Sequence, residues 1–205
     1  ERVVAAMNHE EPDRVPVDFA GHRSSGIMAI AYNKLKDYLG IESGDIYVYD
    51  LIQQLAIVEP PVLDRFEVDT VELGRGFAQD EDYWQEWPLP DGTPAKVPGF
   101  IDLRRDDGDW RIHADDGVPI GVQREGSLYF EQTNWPLADE DNDDERDLDD
   151  IMEHIMWCKV GSPPAPLGFE GEDLEKLEEG ARRLRESTDR AIVGLFGGNL
   201  NELSQ

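Results

Sequence analysis

The chain has 205 residues, of which 39% are hydrophobic and 9% aromatic, enough apolar material for a buried core and too much for a chain that stays disordered. With 46 acidic side chains against 19 basic, the net charge is −27, which repels nucleic-acid phosphate and anionic lipid and sets both aside as partners. No window approaches the ~20 consecutive apolar residues that cross a bilayer, and a single cysteine, Cys158, rules out an internal disulfide and fits a reducing compartment, the cytoplasm.

Residues 1–9 read as a short helix, with Val3, Val4 and Met7 at helical spacing and Pro12 as its breaker. Val15-Pro16-Val17-Asp18-Phe19 reads as a short strand. The loop at 20–25 follows, and Ser24 or Ser25 is placed to cap a helix over about 26–39. The expected apolar face of that helix carries Ile27, Ile30, Ala31, Leu35 and Tyr38, and Gly40 stops it. A rougher unit comes next. Residues 46–49 are extended, Pro60-Pro61 opens a helix through Phe66, residues 68–73 form a strand, and Gly74-Arg75-Gly76 loops beyond it. Gln53 and Gln54 read as helix-surface or capping groups.

From Tyr83 to Trp135 the pattern changes to an antiparallel meander. Asp91-Gly92, Asp107-Gly108 and Asp116-Gly117 are hairpin-turn dipeptides separated by alternating stretches. Trp84, Trp87, Trp110 and Trp135 are its expected packing core. The acidic run at 139–150 reads as a solvated loop leading into a helix with Leu148, Ile151 and Ile155 on its apolar face, and 161–168 as a Pro/Gly-rich connection. The clearest helix is 172–187. Leu174, Leu177, Ala181 and Leu184 share a face, with acids in the first turns and arginines in the last. Residues 191–196, AIVGLF, are apolar throughout, as in a strand covered on both faces of a parallel sheet. About three βα units are visible, where a barrel takes eight in typically ~250 residues, so the chain is expected to stop before its fold closes.

RVVAAMNHEEPDRVPVDFAGHRSSGIMAIAYNKLKDYL at 2–39 resembles the uroporphyrinogen decarboxylase superfamily, above all in NHEEPDRVPVDF. The likeness continues through VYDLIQQLAIVEPPVLDRFEVDTVELGRGF (48–77), LYFEQTNWP (128–136) and AIVGLFGGNL (191–200), and is nearest to the branch grouped with cobamide-dependent methyltransferases. The resemblance implies the N-terminal part of a (β/α)8 barrel over 1–205, with the meander at 83–135 and the acidic loop at 139–150 inserted. Its site would lie at the carboxyl ends of the strands. The implied activity is corrinoid-dependent methyl transfer, on a small molecule or a corrinoid protein. The alternatives are decarboxylation of a tetrapyrrole and a non-catalytic binding subunit. The decarboxylases carry an Arg-rich RQAGR loop after the first strand and an Asp after the second. Here Arg23 matches one arginine, and the second strand leads into Glu72-Leu73-Gly74-Arg75 with no such Asp. The methyltransferases bind zinc through His and Cys of the later barrel half, positions outside this chain, so no metal ligand is expected within it.

His22 and Arg23 are the expected catalytic residues. A neutral imidazole exchanges protons near neutral pH, and a guanidinium grips a carboxylate through two hydrogen bonds. The plainer alternative is a polar loop before a helix. Asp18, Arg75 and Asn199 are the expected substrate-binding residues, with a structural ion pair as the alternative for Asp18 and an exposed turn for Arg75. His9, His113 and His154 lack metal-ligand spacing. Cys158 reads as a buried thiol rather than a nucleophile.

Only Lys34, Lys36, Lys96, Lys159 and Lys176 are lysines. A surface rich in Asp and Glu and poor in Lys is that of proteins adapted to high salt, where screening removes self-repulsion. The alternative is that one acidic insertion skews the total, since 139–150 alone holds nine acids. Salt adaptation requires the melting temperature to rise as KCl is added to about 1 M, where the Debye length is ~3 Å. A flat series excludes it.

Overall fold

A computed structural model describes residues 1–42, 44–76, 81–136, 138, 148–160 and 172–194. In chain order these form α1 (Arg2–Met7), a 3-10 turn (Arg23–Ser25), α2 (Ala29–Leu39), β1 (Ile46–Asp50), β2 (Leu55–Ala56), α3 (Pro60–Arg65) and β3 (Thr70–Glu72). Two 3-10 turns (Leu73–Gly76, Glu81–Tyr83) lead to β4 (Trp84–Pro88), β5 (Pro94–Pro98), β6 (Asp102–Asp106), β7 (Asp109–His113), β8 (Pro119–Gln123) and β9 (Glu131–Gln132). Then come α4 (Leu148–Glu153), α5 (Met156–Val160), α6 (Glu172–Ser187) and β10 (Ala191–Val193). The architecture is mixed α/β with three small sheets, ordered β2-β1-β5-β4, β10-β3 and β6-β7-β8-β9, none closed on itself among the described residues. No helix among those residues is long and apolar enough to cross a membrane.

The three Asp-Gly turns close the β4–β5, β6–β7 and β7–β8 hairpins, and Gly92, Gly108 and Gly117 hold φ of 85°, 93° and 88°, which a side chain disfavours. The expected single meander is nevertheless two sheets. β5 leaves the run to pair in parallel with β1, Ile46 opposite Ala95 and Tyr47 opposite Lys96. Period-two alternation explains the switch: Ala95, Val97 and Trp87 extend the apolar face of Ile46 and Val48. Tyr32, Val48, Val62, Trp87, Ile112 and Met156 belong to the one hydrophobic cluster that joins this sheet to β7–β8 and to α5.

The tryptophans divide. Trp87 is fully buried, while Trp84 and Trp110 are half-buried. Trp84 meets Tyr47 edge-on at 4.9 Å, and Trp110 lies under Arg105 at 5.8 Å. Trp135 is 52% exposed and is no part of the core, contrary to expectation. The face expected of the helix over 26–39 holds at Ile27, Ile30 and Leu35, which are buried or packed on the core, but Ala31 and Tyr38 are exposed and Lys36 points inward with Ala29 and Tyr32. An ion pair holds Lys36 there. Lys36 Nζ lies 2.5 Å from Glu59 Oε2, to which the Tyr32 hydroxyl also donates at 3.1 Å. Neither serine caps α2. Its first N–H, that of Ala29, donates to the Gln54 carbonyl at 2.8 Å. α6 spans the expected 172–187 and buries Leu184, whereas Leu174 is 47% exposed. Ile151 and Ile155 are buried, and Cys158 is only half-buried. The acidic residues 139–147 and the connection 161–168 lie outside the described residues.

Residues 15–19 form no regular strand. They run extended beside β3, with the Asp69 N–H donating to the Val17 carbonyl at 2.8 Å and the Val17 N–H donating to the Asp69 carboxylate at 2.8 Å. A side chain thus completes the rung, and Pro16 has no N–H to give. The contacts Arg14 to Glu67, Val17 to Asp69 and Asp18 to Thr70 rise together in both segments, so the two run parallel. β10 pairs parallel with β3 from Thr70–Ala191 to Glu72–Val193, and the Ala191 N–H donates to the Asp69 carbonyl at 2.8 Å. Three parallel segments therefore meet at Asp69, whose carboxylate also receives the guanidinium of Arg2 and, at 2.8 Å, that of Arg14.

Burial pushes the Asp69 carboxyl up, but the Val17 N–H, Arg2 and Arg14 outweigh it and hold it below its ordinary value of 3.8. A depressed acid contributes stability that is present above the unfolded value and lost as pH falls through the folded one. Asp69→Asn should cost about 2–4 kcal/mol at neutral pH, with the deficit shrinking as pH drops below 3.8. A deficit independent of pH in denaturant melts contradicts this.

Candidate functional site

The loop after 15–19 is shaped by its own polar groups. Asp18 accepts the Gly21 N–H at 2.9 Å and the Thr70 hydroxyl at 2.5 Å. A Cβ at position 21 would collide with Asp18 and Thr70, so only glycine lets the turn lie this close to β3. Both contacts fasten the loop, and neither reaches His22 or Arg23. His22 begins the 3-10 turn. Its Nδ1 accepts the Ser24 N–H at 3.0 Å, and its own N–H and carbonyl bond the Ser25 hydroxyl at 3.3 and 2.9 Å. With Nδ1 occupied as an acceptor, the neutral ring carries its proton on Nε2.

Arg23 turns toward the end of β1. Its Nη1 stands 3.8 Å from Asp50 Oδ2, with 18% of the Arg23 side chain and 1% of Asp50 exposed. Asp50 accepts the Gln53 N–H at 2.9 Å and the Gln53 amide Nε2 at 3.0 Å. Burial pushes its carboxyl above the ordinary 3.8, against the pull of those bonds and of Arg23. The Arg23 Nε is shut off from water and has no acceptor among the described residues, a situation costing about 1–3 kcal/mol. Gln54, expected on a helix surface, is fully buried with φ of 53°. Its amide donates to the Leu128 carbonyl, which also accepts Gln123 Nε2 at 2.9 Å. The 50–54 turn is thereby fastened to the strap that precedes β9.

Arg75 occupies the 3-10 turn Leu73–Gly76 directly after β3; its side chain, like Asn199, lies outside what is described. At the end of β3, Glu72 is buried, and the missing side chain of Gly74 leaves room for its two oxygens. Sequence reading missed Asp50, Gln54 and Glu72. A signal for Asp50 existed, since it shares the inward face of Ile46 and Val48 by alternation. The structure thus brings Arg23 to Asp50, which Gln53 holds, keeps His22 next to Arg23 in its turn, and leaves Asp18 with Thr70. Chemically it sets a guanidinium able to grip an anion beside a carboxyl whose ionised form is disfavoured by burial.

No group of three or more His, Cys, Asp or Glu among the described residues is placed to hold a metal ion. The zinc implied by the resemblance has no ligand set among these residues. Compared with known proteins, the chain matches no family model, no curated protein and no solved structure.

An acid whose folded value is raised lowers stability progressively as pH climbs from the unfolded to the folded value, and the whole penalty stands above that window. Asp50→Asn removes the charge while keeping the shape. Its stability relative to the unmodified protein should improve as pH rises above the ordinary carboxyl value of 3.8. A difference that stays constant in parallel chemical melts excludes a buried, reluctant anion at this position.

Proposed function

We propose that this chain is part of a cytoplasmic enzyme of the uroporphyrinogen decarboxylase superfamily, built on a (β/α)8 barrel to which it contributes the N-terminal strands, and acting in corrinoid-dependent methyl transfer. The observation that carries the reading is the parallel meeting of 15–19, β3 and β10 at Asp69. The described segments that follow the first two, Gly21 to Gly26 and Leu73–Gly76, then leave at the same end, where a parallel α/β protein binds its ligand. Both lie within the stretches 2–39 and 48–77 that carry much of the resemblance.

The methylated corrinoid, carried by a partner protein, is the substrate that supplies the methyl group. On this reading Arg23 orients the carboxylate of the methyl acceptor, and the His22 Nε2–H donates a hydrogen bond at the same edge. A second reading, decarboxylation of a tetrapyrrole, draws on the contact of Arg23 with Asp50. A guanidinium that holds a carboxylate beside a carboxyl that holds a proton is what replacing a departing CO2 by hydrogen requires. A polycarboxylate also calls for several cations, and of the two arginines in these loops Arg23 is turned toward an acid. That favours methyl transfer.

Two assays on the complete protein decide between the readings. One follows the visible absorbance of methylcobalamin with a thiol acceptor, and the other the porphyrin products of uroporphyrinogen. Demethylation that falls about 100-fold in Arg23→Ala with an unchanged melt is the expected outcome. Carboxyl loss from uroporphyrinogen selects the second reading, and inertness toward both overturns the enzyme assignment in favour of a binding subunit.

A further inference from the structure

Arg23 and Asp50 face each other without completing a salt bridge. Their separation of 3.8 Å exceeds the roughly 2.7–2.9 Å of a charge-assisted hydrogen bond. Asp50 is pinned, since the Gln53 peptide and amide hold both of its oxygens. The guanidinium is under-coordinated, because its Nε has no acceptor among the described residues. Access is one-sided: solvent reaches part of Arg23 and almost none of Asp50. A solute therefore meets the Arg23 side chain before it meets Asp50.

A planar carboxylate offers the guanidinium two oxygens in a matching fork, where Asp50 offers one oxygen at long range. Once it is seated, two carboxylates share a single guanidinium where little water screens them, and like charges so placed cannot both remain ionised. The proton goes to the acid with no water around it. Arg23 is the charged group that acts on Asp50, and the others against it are the peptide N–H groups of Ile52 and Gln53 and the Gln53 amide. His22, next to Arg23, is occupied with Ser24 and Ser25.

We infer that the Arg23 site takes up a substrate carboxylate together with one proton, the carboxylate settling on Arg23 and the proton on Asp50. No bond of the ligand changes: a solvent proton joins Asp50, and the ligand stays an anion on the guanidinium. The net charge of the site is then the same before and after binding. In a chain of net charge −27 this matters, because an anion that arrived alone would add to a large existing repulsion. Burial, which already holds the Asp50 carboxyl above its ordinary value, acts in the same direction. The inference rests on the substrate-facing role of Arg23 given above, and not on which reaction follows.

Calorimetric titration of the complete protein with propionate, in two buffers of different ionisation enthalpy, counts the protons directly. The expected result is uptake approaching one proton per propionate, with affinity falling about tenfold per pH unit above the Asp50 value. Asp50→Asn should bind propionate with no uptake and no pH dependence, and Arg23→Ala should not bind it. Binding by the unmodified protein without uptake, or no propionate binding at all, overturns the inference, and neither result depends on a variant folding. Uptake that persists in Asp50→Asn overturns it as well. Turnover of methylcobalamin or uroporphyrinogen without proton uptake sinks this inference alone, whereas proton uptake by a protein inert to both sinks only the reaction assignment.

Discussion

Asp69 is where the fold is tied together. Its peptide links the Val17 carbonyl to the Ala191 N–H, and its carboxylate binds the Val17 N–H, Arg2 and Arg14. One residue thus aligns three segments that are far apart in sequence and anchors α1, which buries no residue of its own. A ladder would normally supply the rung that the carboxylate makes here, but Pro16 and the shortness of β3 leave too few peptide groups to pair. The alignment decides where the loop carrying His22 and Arg23 emerges, so the candidate site depends on an ion-pair hub at the opposite end of the same segments.

Charge is used in two ways in this protein. On the surface it repels, and pairs such as Arg182 with Glu179 and Glu186 are exposed and contribute little each. Inside, a few charges are placed where they direct the chain. Lys36, paired with Glu59, joins the buried face of α2, and Asp69 gathers arginines. Both are satisfied by short contacts. Arg23 with Asp50 differs: it is long, one partner is pinned, and a donor is left over. A buried pair left incomplete is a poor stabilising device and a reasonable binding one, which is why the site is read there rather than at the better-formed pairs.

Much of the local structure was legible in the sequence because it follows from short-range rules. The three Asp-Gly dipeptides fix their hairpins, Pro60-Pro61 opens α3, Gly40 ends α2 in the left-handed conformation, and the apolar and charge periods of 172–187 give α6 its bounds. What was not legible depended on partners distant in sequence. The stripe of Ile27, Ile30, Ala31, Leu35 and Tyr38 found three core-facing positions, Ile27, Ile30 and Leu35, but it missed Lys36 because periodicity counts lysine as polar, and only Glu59 makes it a core residue. The meander could not be divided in two without knowing that β5 adds to β1. Residues 15–19 look like a strand by composition, yet their pairing runs through a carboxylate fifty residues away. Of the site, the turn bearing His22 and Arg23 was found by position after an extended segment. Asp50 was passed over because one acid at the end of a strand reads as a boundary, and Gln54 because a buried amide at positive φ has no sequence signature.

Residues 15–19, β3 and β10 form one parallel unit through Asp69. Amide hydrogen exchange by NMR at Val17, Asp69 and Ala191 tests it most directly, since each of these N–H groups is a donor in the unit. In one such unit all three are protected and open together, with closely matched opening free energies. Val17 exchanging at the rate of an unstructured loop while Ala191 stays protected would contradict it, and the placing of His22 and Arg23 would fall with it.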